Sequence, residues 1–297
     1  WDHALTRNRS RTMGRLDFGP DHEFDLDAFE LDWLDHYVRG IDNGADRQPL
    51  ARLFAMGRNE WRTADAWPLR ETEWTPYYLS SSMGAGSRFG DGTLSIDRGV
   101  GRDSFRYDPA DPVPFLTEPT SHQIGGPDDY ATVEERADVL VYSTPELVED
   151  VEVTGPVTAR LYVSSDAPDT DFMGKLIDVH PDGYCQRLCD GMVRMRFRDG
   201  METDSRMEPG EIYAANLHLW STSHVFKAGH RIRLEVASSA FPKYDRNLNT
   251  GDSLAEGTEM RVAVNTVWHD EEHPSHLMLP IIPAAGGADA HREGVSR

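Results

Sequence analysis

The sequence predicts a mainly β fold, a C-terminal jelly-roll β-sandwich preceded by a single helical segment. Three observations predict it. Only residues 24–38 carry a helical apolar period. From Pro49 onward the chain breaks into short apolar runs separated by Gly, Pro, Asp and Asn, the pattern of an all-β domain. Two of those runs alternate strictly: Val193, Met195 and Phe197 against Arg194, Arg196 and Arg198, then Ile232, Leu234 and Val236 against Arg231, Arg233 and Glu235. Period-two patterning marks half-buried antiparallel strands.

The helix is read from Leu26, Phe29, Trp33 and Tyr37, with Leu34 and Val38 alongside, at steps of three and four. Asp25 is its expected N-cap, Gly40 its stop, and residues 41–48 its polar exit loop. Alone, this helix has no layer to bury against. Further strands are expected at residues 50–56, 76–79, 139–143, 157–164, 175–179, 211–219, 260–267 and 277–282, a number and spacing that suit a two-sheet jelly roll. Segments 80–91 and 108–136 are long irregular loops, which are usually functional or mobile. The expected division is residues 1–47, 48–283 and a flexible tail at 284–297.

Composition excludes several classes. Acidic residues number 51 against 30 basic ones, a net charge of −21 spread along the chain, so nucleic acid and anionic membranes are poor partners. No run approaches the ~18 apolar residues of a membrane helix, and no signal segment opens the chain, so a soluble, cytoplasmic protein is expected. Cys185 and Cys189 are too few for a disulfide framework. Four residues apart on a strand, they stand ~13 Å from each other, beyond disulfide reach, and read as reduced, partly buried thiols.

The chemistry-bearing feature is Trp1-Asp2-His3 at the start of the chain, ahead of the strands. In α/β-type serine hydrolases the histidine follows the nucleophile and the acid in chain order, so this chain reads as the back half of an enzyme. No G-x-S-x-G nucleophile elbow occurs; Ser87, in the Gly-rich stretch 83–92, has Ala85 where the first glycine belongs and no apolar strand feeding it. If His3 is catalytic, its serine and acid are expected on chain preceding Trp1. His269, His273 and His276 with Asp270, Glu271 and Glu272 fit neither H-E-x-x-H nor a zinc-finger spacing, and read as a structural turn. Asp166, Asp169 and Asp171 lack the order and glycine of an EF-hand. Neither metal nor cofactor is expected.

At this point whole segments resemble a known family. WDHALTRNRSRTMGRLDFG (1–19), DWLDHYVRG (32–40), LFAMGRNEWR (53–62), YDPADPVP (107–114), DVLVYSTPEL (138–147), VTGPVTARLYVSSDAPDTDFMGKLIDVHPDG (153–183), AGHRIRLEVASSAFPKYDRNLNTG (228–251) and HPSHLMLPII (273–282) resemble the cocaine-esterase-like branch of the X-prolyl dipeptidyl-peptidase hydrolases. The resemblance implies a serine hydrolase of esters or amides working through an acyl-enzyme, with an α/β-hydrolase domain, a helical cap and a C-terminal jelly roll. It makes the helix a remnant of the α/β-hydrolase domain and His3 the match to the catalytic histidine, general base and then general acid. The elbow serine, the acid and the oxyanion donors match nothing here, so the chain alone is expected to be inactive. Its expected partners are a small-molecule ester or amide and the N-terminal hydrolase half, in cis or as a separate chain, with a homodimer as a further expectation. Phe115 and Leu116, on a loop whose family equivalent approaches the active-site mouth, are candidates for an apolar wall that grips an acyl group; the alternative is that they cover the sandwich edge. In FPKYDRNLNTG (241–251), Asp245 and Arg246 are expected to pair and pin a loop against the hydrolase domain; the alternative is a substrate or sugar contact. The alternative function is a noncatalytic β-sandwich module that binds a carbohydrate or a protein.

Overall fold

The computed structural model describes residues 10–116, 128–253 and 255–284. The first described elements are a small hairpin, β1 (Thr12–Met13) with β2 (Leu16–Asp17), and helix α1 (Leu26–Tyr37). Asp25 caps α1 as its sequence predicts, its carboxylate accepting from the Ala28 amide at 3.0 Å. The chain leaves the helix through Gly40 at φ +69°, where a side chain would be strained. No residue of α1 is buried; Phe24 ties this region to the body by stacking at 5.5 Å on both Phe29 and Trp61.

A second hairpin, β3 (Ala51–Ala55) with β4 (Glu60–Ala64), pairs only with itself among the described strands. The remaining strands are β5 (Glu73–Ser80), β6 (Thr93–Ser95), β7 (Arg102–Tyr107), β8 (Leu140–Ser143), β9 (Val151–Ser165), β10 (Asp171–Val179), β11 (Cys185–Arg194), β12 (Tyr213–Phe226), β13 (Arg231–Ala237), β14 (Ala263–Trp268) and β15 (His276–Ile282). They form one sheet in the order β11-β10-β13-β8-β6-β5-β15-β9-β14-β7, with β12 on the other edge of β9. β9 therefore carries β12 along one side, and β15 followed by β14 along the other.

The sheet folds over itself into two layers. A Cβ on Gly191 of β11 would lie 2.0 Å from the His218 carbonyl of β12, and one on Gly174 of β10 would meet Leu217 and Leu219. Only glycine allows that approach at position 191. Between the layers lies a continuous core that includes Phe105, Tyr142, Leu161, Phe172, Leu176, Leu217, Leu234 and Leu277. Large-to-small changes among such residues cost about 2–5 kcal/mol.

Two strand expectations need correction. The alternating run 192–198 is not one strand: β11 ends at Arg194, and Met195–Phe197 turns into a 3-10 helix. Asp169 explains the break, because its carboxylate takes the Arg196 amide at 3.0 Å and the Arg196 guanidinium at 2.6 Å, holding the backbone out of the ladder. The run in β13 is a strand, but it is buried on both faces rather than half-buried. The loop between β7 and β8 lays a 3-10 helix, Tyr130–Glu135, over its charged face. There Glu134 pairs with Arg233 and Glu235 with Lys175, while the Lys175 ammonium lies 5.3 Å from the Tyr130 ring centre. Burial pushes Glu134 up to about 7 against the pull of Arg233. Both cysteines are free and buried on β11, and burial raises both thiols, Cys189 to about 12.

Candidate functional site

His3 lies outside the described residues. Phe115 and Leu116 are described, and they differ. The chain from Val113 runs beside Phe241, with the Phe115 amide donating to the Phe241 carbonyl at 2.7 Å and the Phe241 amide to the Val113 carbonyl at 3.0 Å. This places the Phe115 ring inside, 3% exposed, packed with Met173 and Ala240. The Arg187 guanidinium and the Lys243 ammonium sit 4.8 and 4.9 Å from its centre. Both cations are held by buried Asp190, Lys243 at 2.6 Å and Arg187 at 3.0 Å. Leu116 is partly exposed, its amide fixed by the Tyr130 hydroxyl at 3.1 Å, and it packs on the cluster around Tyr130 and Val133.

A serine, a histidine and an aspartate do meet in this chain, at Ser81, His269 and Asp103, but their geometry is wrong for a nucleophile. The Ser81 hydroxyl donates to Asp103 Oδ2 at 2.6 Å and stands 3.5 Å from His269 Nε2. His269 Nε2 faces the same oxygen at 2.8 Å, and its Nδ1 faces the Val100 carbonyl at 2.7 Å. The serine proton is directed at the carboxylate and not at the ring, so His269 is not placed to take it. Tyr142 donates to Asp103 at 2.8 Å and the Ala85 amide at 3.0 Å. Burial pushes the Asp103 carboxyl up, but these four hydrogen bonds, with His269 first, outweigh it and hold the group below the usual carboxylate range. The grouping is a buried polar hub that locks the β5–β6 loop to β7.

The remaining singled-out residues are placed as follows. His273 Nδ1 lies 2.9 Å from Asp270, whose carboxylate also accepts the Glu272 and His273 amides, a closed turn ahead of β15. His276 Nδ1 faces the Pro274 carbonyl. Asp169 and Asp171 are engaged by Arg196 and Arg194 and share the Asn247 amide, while Asp166 accepts the Val264 amide. Burial pushes Asp171 up to about 6 despite Arg194. Asp245 and Arg246 do not pair with each other. Asp245 takes Arg194 at 3.2 Å, and Arg246 donates to the Pro109 carbonyl at 3.0 Å. The loop is thus pinned to β11 and to the segment after β7.

Comparison with known proteins places this scaffold. The family model described as the X-Pro dipeptidyl-peptidase C-terminal non-catalytic domain matches residues 43–278. The chain belongs to this family. A cocaine esterase of Rhodococcus is 46% identical over 290 residues, covering 95% of this chain and 50% of the relative. Among solved structures, an aminopeptidase from a marine sediment archaeon superposes with a TM-score of 0.80 at 29% identity, covering 95% of this chain and 48% of that one. An α-amino acid ester hydrolase gives 0.71 at 27%, covering 84% and 44%. The chain spans about half the length of these relatives. No helix among the described residues is long and apolar enough to cross a membrane.

Sequence reasoning missed one convergence in this X-Pro dipeptidyl-peptidase C-terminal domain: Asp178, His180, His224 and His230. β10 pairs with β13 so that Val179 stands opposite Arg231, which brings the next residue on each side, His180 and His230, together with rings 4.4 Å apart. His224 arrives from β12, its Nε2 2.8 Å from Asp178 Oδ2. The residues are up to 52 positions apart in sequence, and no motif spacing announces them. Only the strand register does.

Proposed function

We propose that this chain is the C-terminal part of a serine hydrolase that cleaves esters or amides through an acyl-enzyme. Residues to about 47 close the α/β-hydrolase domain, and residues 48–283 form the jelly roll. The observation that carries the reading is the helix α1. Leu31, Trp33, Leu34, Tyr37 and Val38 are between 48% and 75% exposed, an apolar face that a surface helix of a finished domain turns inward. A chain half as long as its cocaine-esterase relative, with such a face uncovered, fits a partner layer carried by the other half. Homology to esterases supports the reaction class.

In the assembled enzyme the N-terminal half supplies the nucleophilic serine, the acid that orients the imidazole and the oxyanion donors. His3 takes the serine proton during acylation, passes it to the leaving alkoxide or amine, and repeats the sequence with water to release the acyl group. Leu116 lines the acyl side of the pocket, and Phe115, clamped between Arg187 and Lys243, fixes the backbone that presents it. The substrate is a small molecule, the setting cytoplasmic, and the isolated chain inactive.

The test uses a fluorophosphonate probe on two samples. Joined to its N-terminal half, in cis or as a second chain, the assembly is expected to label at a serine of that half and to hydrolyse a p-nitrophenyl ester. The isolated chain is expected to do neither. Labelling of the isolated chain at Ser81, or an assembly that never labels, overturns the proposal.

A further inference from the structure

The cluster missed by the sequence has the composition and placement of a metal site. Asp178 is buried at the end of β10, while His180 and His230 flank it at the rim, 20% and 14% exposed in their side chains. One ligand atom from each of the three lies within 4.8 Å of the other two. His230 Nδ1 is 2.8 Å from Asp178 Oδ1, and His180 Nε2 is 3.8 Å from Oδ2. A tetrahedral ion with bonds of about 2.0–2.1 Å needs its ligand atoms roughly 3.3 Å apart, against 2.8 and 3.8 Å here to the two oxygens of the one carboxylate. Small rotations of two half-open imidazoles close the difference.

The surroundings agree. The cluster opens into a cavity of about 230 Å³ whose wall includes Gln186, His224 and Lys227, room for an ion and a water. Gln186 Oε1 stands 3.1 Å from His180 Nε2, placed to hold that water or to be the fourth ligand. His224 Nε2 lies 2.8 Å from Asp178 Oδ2, the outer-shell hydrogen bond that orients a ligating carboxylate. The other nitrogen of His224 is buried with no partner among the described residues, and the ring packs edge-on against Phe226 at 4.9 Å. The one nearby ammonium, Lys227, is paired to Asp150 at 2.7 Å. Turn bonds fix the backbone at each imidazole: the His180 amide donates to the Tyr184 carbonyl at 2.9 Å, the Gly183 amide to the His180 carbonyl at 2.9 Å, and the His230 amide to the Lys227 carbonyl at 3.0 Å.

We propose that Asp178, His180 and His230 bind a divalent transition-metal cation of the zinc class, with His224 steering the carboxylate. Two imidazoles and one carboxylate are a borderline donor set, suited to zinc, nickel or copper(II) rather than to calcium or magnesium. The site lies on the sandwich itself and stands whether or not the chain is half of a hydrolase. It ties the ends of β10 and β13, and Arg15 of the leading hairpin rests beside it on Tyr184 and Asp182.

The experiment is calorimetry with zinc on the chelator-treated full chain, with cobalt absorption as a second readout. One zinc per chain is expected, with affinity falling as pH drops from 7.5 toward about 5, because imidazole ligands must be neutral. His180→Ala and Asp178→Asn are each expected to weaken binding roughly tenfold or more, and exposed His218→Ala to leave it unchanged. His180 is partly exposed, so its variant decides the matter even if Asp178→Asn fails to fold. No saturable binding below about 1 mM zinc, or His180→Ala binding as the wild type does, overturns the proposal.

Discussion

Asp103→Ala is the sharpest probe of the claim that the Ser81–Asp103–His269 grouping is structural. The carboxylate satisfies Ser81, the Ala85 amide, Tyr142 and His269, and the last three residues are wholly buried. Stranding a buried donor costs about 1–3 kcal/mol, and water entering the vacated space recovers part of it. For three such donors, with part recovered by water, the expected loss is about 3–5 kcal/mol. Asp103→Asn keeps the shape and one acceptor oxygen, with an expected loss of about 1–2 kcal/mol. Urea unfolding at pH 7, read as midpoint times slope, measures both. A proton binds Asp103 less readily in the folded chain than in the unfolded one, because its carboxyl is held low. Its contribution is therefore complete above the unfolded value, near pH 4, and is lost as pH falls through the folded value. Asp103→Asn should flatten the acid limb of the stability curve below about pH 4. A loss under about 1 kcal/mol for Asp103→Ala would refute the hub, since no buried network of this kind comes apart so cheaply.

Three further outcomes are expected. On the proposed mechanism, His3→Ala in the assembled enzyme should lower kcat by about 10⁴ or more with little change in KM, read by steady-state ester hydrolysis. Phe115→Ala should cost about 3–5 kcal/mol in chemical denaturation, whereas Leu116→Ala should cost under about 1.5 kcal/mol and act chiefly on KM for bulky acyl groups. Equal stability losses at the two positions would argue against a buried anchor behind a surface wall. Cys185 and Cys189 should release no thiolate to a disulfide reagent at pH 8 in the native chain and both after unfolding, because burial raises the two thiols.

How much was legible follows from the range over which each signal acts. The cap of α1 and the strands at 50–56, 139–143 and 277–282 were readable because a propensity, a cap or an alternation is decided by neighbouring residues. The failures began where a distant segment intervenes. Asp169, 27 residues away, turned the end of the 192–198 run into a 3-10 helix, and the 130–135 segment buried a face of β13 that its own residues mark as exposed. Strand β7 (Arg102–Tyr107) escaped notice because its alternating Asp103, Phe105 and Tyr107 includes a carboxylate on the buried face. Its inward aspartate reads as a turn former until Tyr142 and His269 are seen to pair with it.

The same reasoning bears on function. The W-x-H segment on which the proposal for His3 rests is a local signal, readable from the sequence alone. A site assembled by strand register leaves no such mark: Asp178 and His230 are brought to 2.8 Å by the pairing of β10 with β13 and by nothing in their flanks. The register-built cluster sits at a sheet end beneath the Arg15 hairpin. Motif reading therefore finds a signal written in neighbouring residues, and only the register finds a cluster assembled across strands.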